Sequence, residues 1–562
     1  MIRYKAFEET ESNLIERTIT TTDSFDTHGN AVQQTSKTYV LDSASGEMKL
    51  QKSTLVENIN INNHGDAATQ HITTSQTDST VVTYQVIENH SYDPNHNATS
   101  QEILTYTQEG GTLLDVQEIR SMGFTSSGVA SQQNIITYSD AAKTDIIDVK
   151  VVENKNIDSL GHVGDSVVTR YSSASIDPAT GVITPANAID LQAIHTEKND
   201  FDLRGNALIQ TITKSWYDNG VLKFSEAQVI KNAPYDLHDR ATQTSIYNYK
   251  DEAMTDFSQV QVITYGAYDK FGNSVAQTIN SYSDANKTEL IDHKVIENNF
   301  TVYDASGAID QAATDKAERR GNARLSTVKR YTSTTEDNTT LIEKTMTATD
   351  SFDDRGNALI QTSIQTSETY VLDSEGKLKL QKSTTVENIG IDNRGDAGLQ
   401  HITTSETDST GTRESLEVTS YQVIENRSFD PSHNVTNQRI ITYTDATKSE
   451  LKDVQEIRSE GFTSSGTAGE QIIATYATYV ESTKTVSDFI EAKVITNNDI
   501  SLRGNVGKST ITTYSAATLE SGNGNIVLSD VSAVTKQTII TTRFDLRGNS
   551  GHHQRGLHRR SL

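Results

Sequence analysis

The chain has 562 residues, a formal net charge of −26 and no cysteine. The charge excludes the clustered Lys and Arg that a nucleic-acid partner needs, and the missing thiols exclude disulfides, a cysteine nucleophile and Cys-ligated zinc. Hydrophobic residues make up 34% of the chain, so any core is thin and distributed, yet they alternate regularly with Thr, Ser, Asn and Gln as ordered strands do.

The first predicted turn is Phe25-Asp26-Thr27-His28-Gly29-Asn30. This aromatic-Asp-x-x-Gly-Asn motif then recurs along the chain. Its glycine, or the residue in its place, falls at Gly29, Gly65, His96, Gly128, Gly161, Gly205, Asp239, Gly272, Gly321, Gly356, Gly395, His433, Gly466, Gly504 and Gly548, at spacings of 31 to 49 residues. Before the turn lies a β-rich segment such as Gln85-Val86-Ile87-Glu88-Asn89, Lys294-Val295-Ile296-Glu297-Asn298 or Gln422-Val423-Ile424-Glu425-Asn426. After it, a Gln tends to stand five residues past the glycine and a Tyr ten past, as at Gln133 and Tyr138, with Ile135-Ile136-Thr137 between. Val, Ile, Thr and Tyr suit a pleated, half-buried surface, so each unit reads as strand, tight turn, strand and variable connection. Asp bonds backbone amides two residues on, and Gly supplies positive φ; His96, Asp239 and His433 are side chains that visit that region more readily than most.

A longer period lies over the short one. Residues 38–43 return unchanged at 369–374, 70–75 at 400–405, and 115–121 at 453–459. The offset between matched glycines grows from 327 residues (Gly29 to Gly356) to 343 (Gly205 to Gly548). The expected division is a partial unit over 1–17, a first super-repeat of nine units over 18–344, an incomplete second of about six over 345–549, and a disordered basic tail over 550–562. Leu14-Ile15-Glu16-Arg17-Thr18 matches Leu341-Ile342-Glu343-Lys344-Thr345, so the pattern opens part-way through; the expectation is continuation in a longer chain or end-to-end self-association. The fold class is an all-β repetitive antiparallel array, a β-solenoid or spiralling twisted sheet of about fifteen turn-plus-two-strand units, elongated and rolled enough to bury one apolar row per strand. No stretch approaches the roughly 18 apolar residues of a membrane-spanning helix.

The core Tyr268-Asp269-Lys270-Phe271-Gly272-Asn273 resembles the YD (RHS-like) repeats of large bacterial cell-surface and secreted proteins. That resemblance implies a long spiralling β-sheet, in some members a hollow shell around a toxin domain, and an extracellular or cell-surface location.

Two readings compete for the repeated Asp residues. Asp26, Asp93, Asp202, Asp269, Asp353 and Asp430, with Asp158, Asp236 and Asp545, either cap their turns or line up as a calcium ladder; hard cations want several oxygens per site, and each turn offers one Asp, one Asn and carbonyls. The structural turn residues are Gly29, Gly65, Gly128, Gly205, Gly272, Gly356, Gly395, Gly466, Gly504 and Gly548. The Glu-Asn pairs (Glu88-Asn89, Glu153-Asn154, Glu297-Asn298, Glu425-Asn426) and the Gln series (Gln34, Gln70, Gln101, Gln210, Gln361, Gln400, Gln438) form either stacked ladders or a solvated face. His28, His64, His96 and His433 alternate with Arg204, Arg355, Arg394 and Arg503 in units that otherwise agree, so the turn position is not read as a metal ligand. Arg394-Gly395-Asp396 is the turn with Asp for Asn and not an adhesion motif, and Trp216 stands in for the usual Tyr. An active site is a singular constellation, whereas nearly every polar motif here recurs, so no catalytic residue and no cofactor is expected. The expected role is a structural segment of a giant surface or filament-forming protein, with a toxin-encapsulating shell and an adhesive, glycan-contacting fibre as alternatives.

Overall fold

The computed structural model describes residues 2–4, 14–41, 47–76, 81–218, 220–232, 234–236, 238–269, 271–304, 306–353, 356–367, 382–392, 394–406, 417–430, 432–463, 466–500, 504–520, 524–528, 533–544 and 550–559. It is an all-β antiparallel array whose sheets do not close into a barrel. Two bodies divide it: residues 1–222 with 229–242, and residues 223–228 with 243–562.

In the first body every strand from Ile2–Tyr4 to Ile209–Asp218 pairs antiparallel with the next in sequence. The second body repeats this rule from Gln243–Tyr249 to Ser550–Arg559. One detour interrupts it: Val506–Tyr514 pairs with Ala533–Phe544, and the small hairpin Ala517–Leu519 with Ile526–Leu528 stands outside the ladder. A meander follows wherever the connection is a tight turn, because only antiparallel strands can be joined that way. Residues 550–559, expected as a disordered tail, form the strand Ser550–Arg559 against Ala533–Phe544. Ladder bonds come from the backbone, so a segment poor in β-branched residues pairs when an edge is offered.

The apolar row is not fully buried along every strand. Most strand residues are only half-buried, and each body has one cluster of buried apolar side chains, with others such as Ala227 and Val260 fully buried apart from it. In the first, Val116, Ile136, Tyr138 and Val149 lie on adjacent strands, and Ile183 covers them from the hairpin formed by Val163–Ile176 and Ile183–His195. In the second, Val454, Ala474, Tyr476 and Ala492 are covered by Ile526 of the small hairpin. These are equivalent positions of the super-repeat, 338 residues apart at Val116 and Val454 and 343 at Ile183 and Ile526. Arg120 Nε donates to Gly181 O at 2.8 Å, and Arg458 Nη2 donates to Gly524 O in the same way. Each super-repeat thus folds a hairpin over its own sheet and ties it with an arginine.

The unit assigned to Gly321 is built differently from the others. Strands Leu290–Asn299 and Leu325–Tyr331 are hairpin partners joined by an insertion rather than a tight turn. It contains an additional Asp-type turn, in which Asp304 Oδ1 accepts from Ser306 N at 2.8 Å and Ala308 N at 3.0 Å, followed by the helix Gln311–Arg320. Asp310 caps the helix start by accepting from Ala313 N. Gly321, at φ = +67°, closes it with its amide on Ala317 O and Glu318 O. Gly321 is therefore a helix terminus, and the turn glycine of this region is Gly307.

Candidate functional site: the turn edge and the charged rows

Each turn starts from two backbone bonds. In the first, Asp26 N donates to Asn30 O at 2.9 Å and Gly29 N to Asp26 O at 3.2 Å. The side chain then closes it: Asp26 Oδ1 accepts the amides of His28 and Asn30, both at 2.8 Å, and Oδ2 accepts Asn30 Nδ2 at 2.9 Å. Gly29 sits at φ = +87°, which explains its residue type. At Asp93, Asp202, Asp269, Asp353 and Asp430, Oδ1 likewise takes the amide four residues on and Oδ2 the side chain of its Asn. The Asn30 and Asn97 side chains are the largest influences holding Asp26 and Asp93 below the ordinary carboxylate value of 3.8. In the second turn the pair is inverted, with Asn62 Nδ2 donating to Asp66 Oδ2 at 3.0 Å. Asp26, Asp93, Asp202, Asp269, Asp353 and Asp430 thus commit both oxygens to N–H donors of their own turns. Gly65, Gly128, Gly205, Gly272, Gly356, Gly395, Gly466 and Gly504 share the left-handed conformation, while Asp545 and Gly548 lie outside the described residues.

Successive turns touch along the strand ends. A β-carbon on Gly65 would lie 3.2 Å from Asn30 Oδ1 of the preceding turn, one on Gly395 3.0 Å from Asn357 Oδ1, and one on Gly466 3.2 Å from Asn434 Oδ1. Where the glycine is absent, its replacement bonds across that step. His96 Nδ1 meets Asp66 Oδ1 at 3.0 Å, and His433 Nδ1 meets Asp396 Oδ1 at 3.1 Å. Asp239 accepts Asn206 Nδ2 at 3.0 Å and pairs with Arg204 at 2.8 Å. All three replacements have φ between +59° and +67°. Asp396, the last residue of the Arg-Gly-Asp tripeptide, is buried in this contact.

A second relay runs inside the sheet and accounts for the Asn and Gln series. Gln101 Nε2 donates to Asn89 Oδ1 at 2.8 Å, and Asn89 Nδ2 donates to Ala67 O of the preceding hairpin at 2.9 Å. Gln70, Asn58 and Ala31 repeat the arrangement, as do Gln400, Asn388 and Ala358, and Gln438, Asn426 and Ala397. Asn154 and Asn298 also reach back to a carbonyl of the preceding hairpin. Elsewhere a hydroxyl replaces the Asn: Gln133 bonds Ser121, Gln210 bonds Thr196, Gln34 bonds Thr22 and Gln471 bonds Ser459. The side chain of Gln361 lies outside the description. The aromatic residue of the turn motif joins in, with Tyr92 Oη on Ala67 O at 2.6 Å and Tyr235 Oη on Ala207 O at 2.7 Å. Trp216 is half-buried opposite Asp190.

Sequence reasoning missed the loops at the opposite strand ends. Ser139-Asp140-Ala141-Ala142-Lys143-Thr144-Asp145, Ser283-Asp284-Ala285-Asn286-Lys287-Thr288-Glu289 and Thr444-Asp445-Ala446-Thr447-Lys448-Ser449-Glu450 are one motif, with Met254 in the Lys place of a fourth copy. Asp140 Oδ1 accepts Thr144 N at 2.9 Å and Asp145 N at 3.0 Å, and Asp284 does the same with Thr288 and Glu289. Lys143, Met254, Lys287 and Lys448 all have φ between +57° and +62°. Their common spacing was the signal in the sequence. Lys143 Nζ reaches Glu102 Oε2 at 2.7 Å and Glu118 Oε1 at 2.5 Å, at the head of a carboxylate row.

No family model matches the chain, and no curated protein matches it. Among solved structures, the chain is similar to "TcdB2-TccC3-TEV" at 10% identity and a TM-score of 0.16, covering 96% of this chain and 34% of that one. For "TcdB2-TccC3" the values are 10% and 0.15, with 98% of this chain and 35% of that one covered. The chain therefore spans about a third of the length of these structures. Among the described residues, no helix is long and apolar enough to cross a membrane.

Proposed function

We propose that the chain is a non-enzymatic structural segment of an extracellular or cell-surface repeat protein, which extends or self-associates by adding hairpins to an antiparallel array. The observation that carries this reading is the relay from Gln through Asn to the carbonyl of the preceding hairpin, together with the turn-to-turn contacts along the strand ends. Both join unit to unit through chemically equivalent groups, so the same contact serves at every step and the number of steps is free to vary. The recurring carboxylates are spent on turn amides, which supports a mechanical role for them. The test is electron microscopy of the purified chain across a concentration series. Extended particles that lengthen as concentration rises are expected. A closed hollow particle would overturn the reading in favour of a toxin-encapsulating shell.

A further inference from the structure

Glu88 on the strand Val81–Tyr92 faces Glu102 on Ala98–Tyr106, and Glu102 faces Glu118 on Leu113–Phe124. Three carboxylates therefore stand in register across adjacent strands, an arrangement in which directly opposed like charges repel. Part of the row is offset from within the chain: Lys143 bridges Glu102 and Glu118, and Arg120 Nη1 lies 2.9 Å from Glu118 Oε2. At the Glu88 end stands His90, the extra residue of the bulge between Asn89 and Ser91. His90 Nε2 is 4.0 Å from Glu102 Oε2, and one ligand atom from each of Glu88, His90 and Glu102 falls within 4.8 Å of the others.

The chain carries its own comparison for this place. Displaced by 337 residues, the second super-repeat has Glu425, Arg427 and Arg439 where the first has Glu88, His90 and Glu102. There the row alternates in sign, because Glu425 faces Arg439 and Arg439 faces Glu456. Arg439 Nε lies 2.5 Å from Glu456 Oε1, Arg427 Nη2 3.2 Å from Glu425 Oε2, and Lys484 Nζ 2.9 Å from Glu425 Oε1. The two guanidinium groups of the second copy are thus replaced in the first by an imidazole and a further carboxylate. That exchange removes fixed positive charge and leaves donors in its place.

We infer that the first super-repeat binds a zinc ion, or another divalent transition metal that accepts imidazole, through His90 Nε2 and the carboxylates of Glu88 and Glu102. Zinc is favoured over calcium because calcium takes six to eight oxygens, whereas three protein ligands of mixed N and O type with an open fourth position are a common zinc arrangement. Glu88 and His90 are exposed, so the small approach to bonding distance needs only side-chain movement. The ion does in one super-repeat what Arg427 and Arg439 do in the other, holding the same two strands together across the same row.

The test is equilibrium dialysis of the full chain, free of any polyhistidine tag, against zinc chloride, with bound metal counted per chain. Other imidazoles, such as the neighbouring His64 and His96, bear on the total, so the decisive quantity is a difference. His90→Ala is expected to lower the zinc bound by one per chain, and His90→Arg, which carries the residue found at position 427, to do the same with an unchanged circular dichroism spectrum. The second variant keeps the comparison valid if the first fails to fold. Equal stoichiometry in wild type and His90→Arg, or no zinc bound by the wild type, would overturn the proposal.

Discussion

At Asn89 one amide group does two jobs: it accepts from Gln101 and donates to Ala67 O. Removing it leaves a half-buried donor on one side and loses one of the bonds to the carbonyl on the other. Asn89→Ala should therefore destabilise by about 1–3 kcal/mol, the usual cost of stranding such groups. Asn89→Ser should recover part of this, because Ser121 and Ser459 already accept from Gln133 and Gln471 at that position. Denaturant unfolding of the three proteins checks it, and equal midpoints for Ala and wild type would contradict the relay. The recurrence of Gln and Asn was legible in the sequence, but their partners were not. Whether they met each other or water depended on register, and register here is shifted by bulges such as that between Asn89 and Ser91. The same shift hid the row Glu88, Glu102 and Glu118, whose members lie 14 and 16 residues apart in a sequence whose visible period is much longer.

Among the elements, the hairpins were easy to foresee, since an Asp and a glycine in a fixed frame dictate a tight turn between alternating segments. The covering hairpins were not. Asp177-Pro178-Ala179-Thr180-Gly181 is a plain turn signal, but nothing local says that the part of its hairpin beyond the ladder pairings packs over Val116, Ile136 and Val149. Ile183 carries that docking, being 3% exposed. Ile183→Ala should cost about 2–5 kcal/mol by opening a cavity on the sheet, whereas Leu203→Ala, at a turn tip in full solvent, should stay within about 0.5 kcal/mol. Thermal or denaturant unfolding distinguishes the two, and equal effects would mean that the hairpin lies over the sheet without packing on it.

Across the whole molecule, the net charge of −26 and the turn aspartates pull stability in opposite directions as pH falls. Protonating exposed carboxylates relieves self-repulsion, which favours the folded chain. The turn aspartates act the other way. Asp26, Asp66 and Asp93 are held below the ordinary 3.8, chiefly by side-chain bonds to Asn30, Asn62 and Asn97. A depressed folded value means stability that is fully present above 3.8 and is lost as pH falls through the folded values. His195 runs in reverse: its bonds to Asp165 and Glu197 raise it above 6.5, so its contribution is whole below that value and fades as pH rises through the raised one. Because the turn recurs along the chain, its loss should dominate at low pH. A melting temperature that declines steeply below about pH 3.8 is expected; one that keeps rising there would show that repulsion governs instead.

The insertion between Asn299 and Leu325 shows how little a step of the array demands. A β-carbon on Gly321 would lie 3.0 Å from Asn273 Oδ1, and one on Gly356 2.9 Å from Asn322 Nδ2, so a helix end occupies the place that a turn takes elsewhere. The neighbours sense a left-handed residue followed by an Asn, and not the route by which the chain arrived. Such a scaffold is open to grafting: foreign sequence enters at a strand end without disturbing the rungs on either side, provided that it returns the chain in that one local conformation.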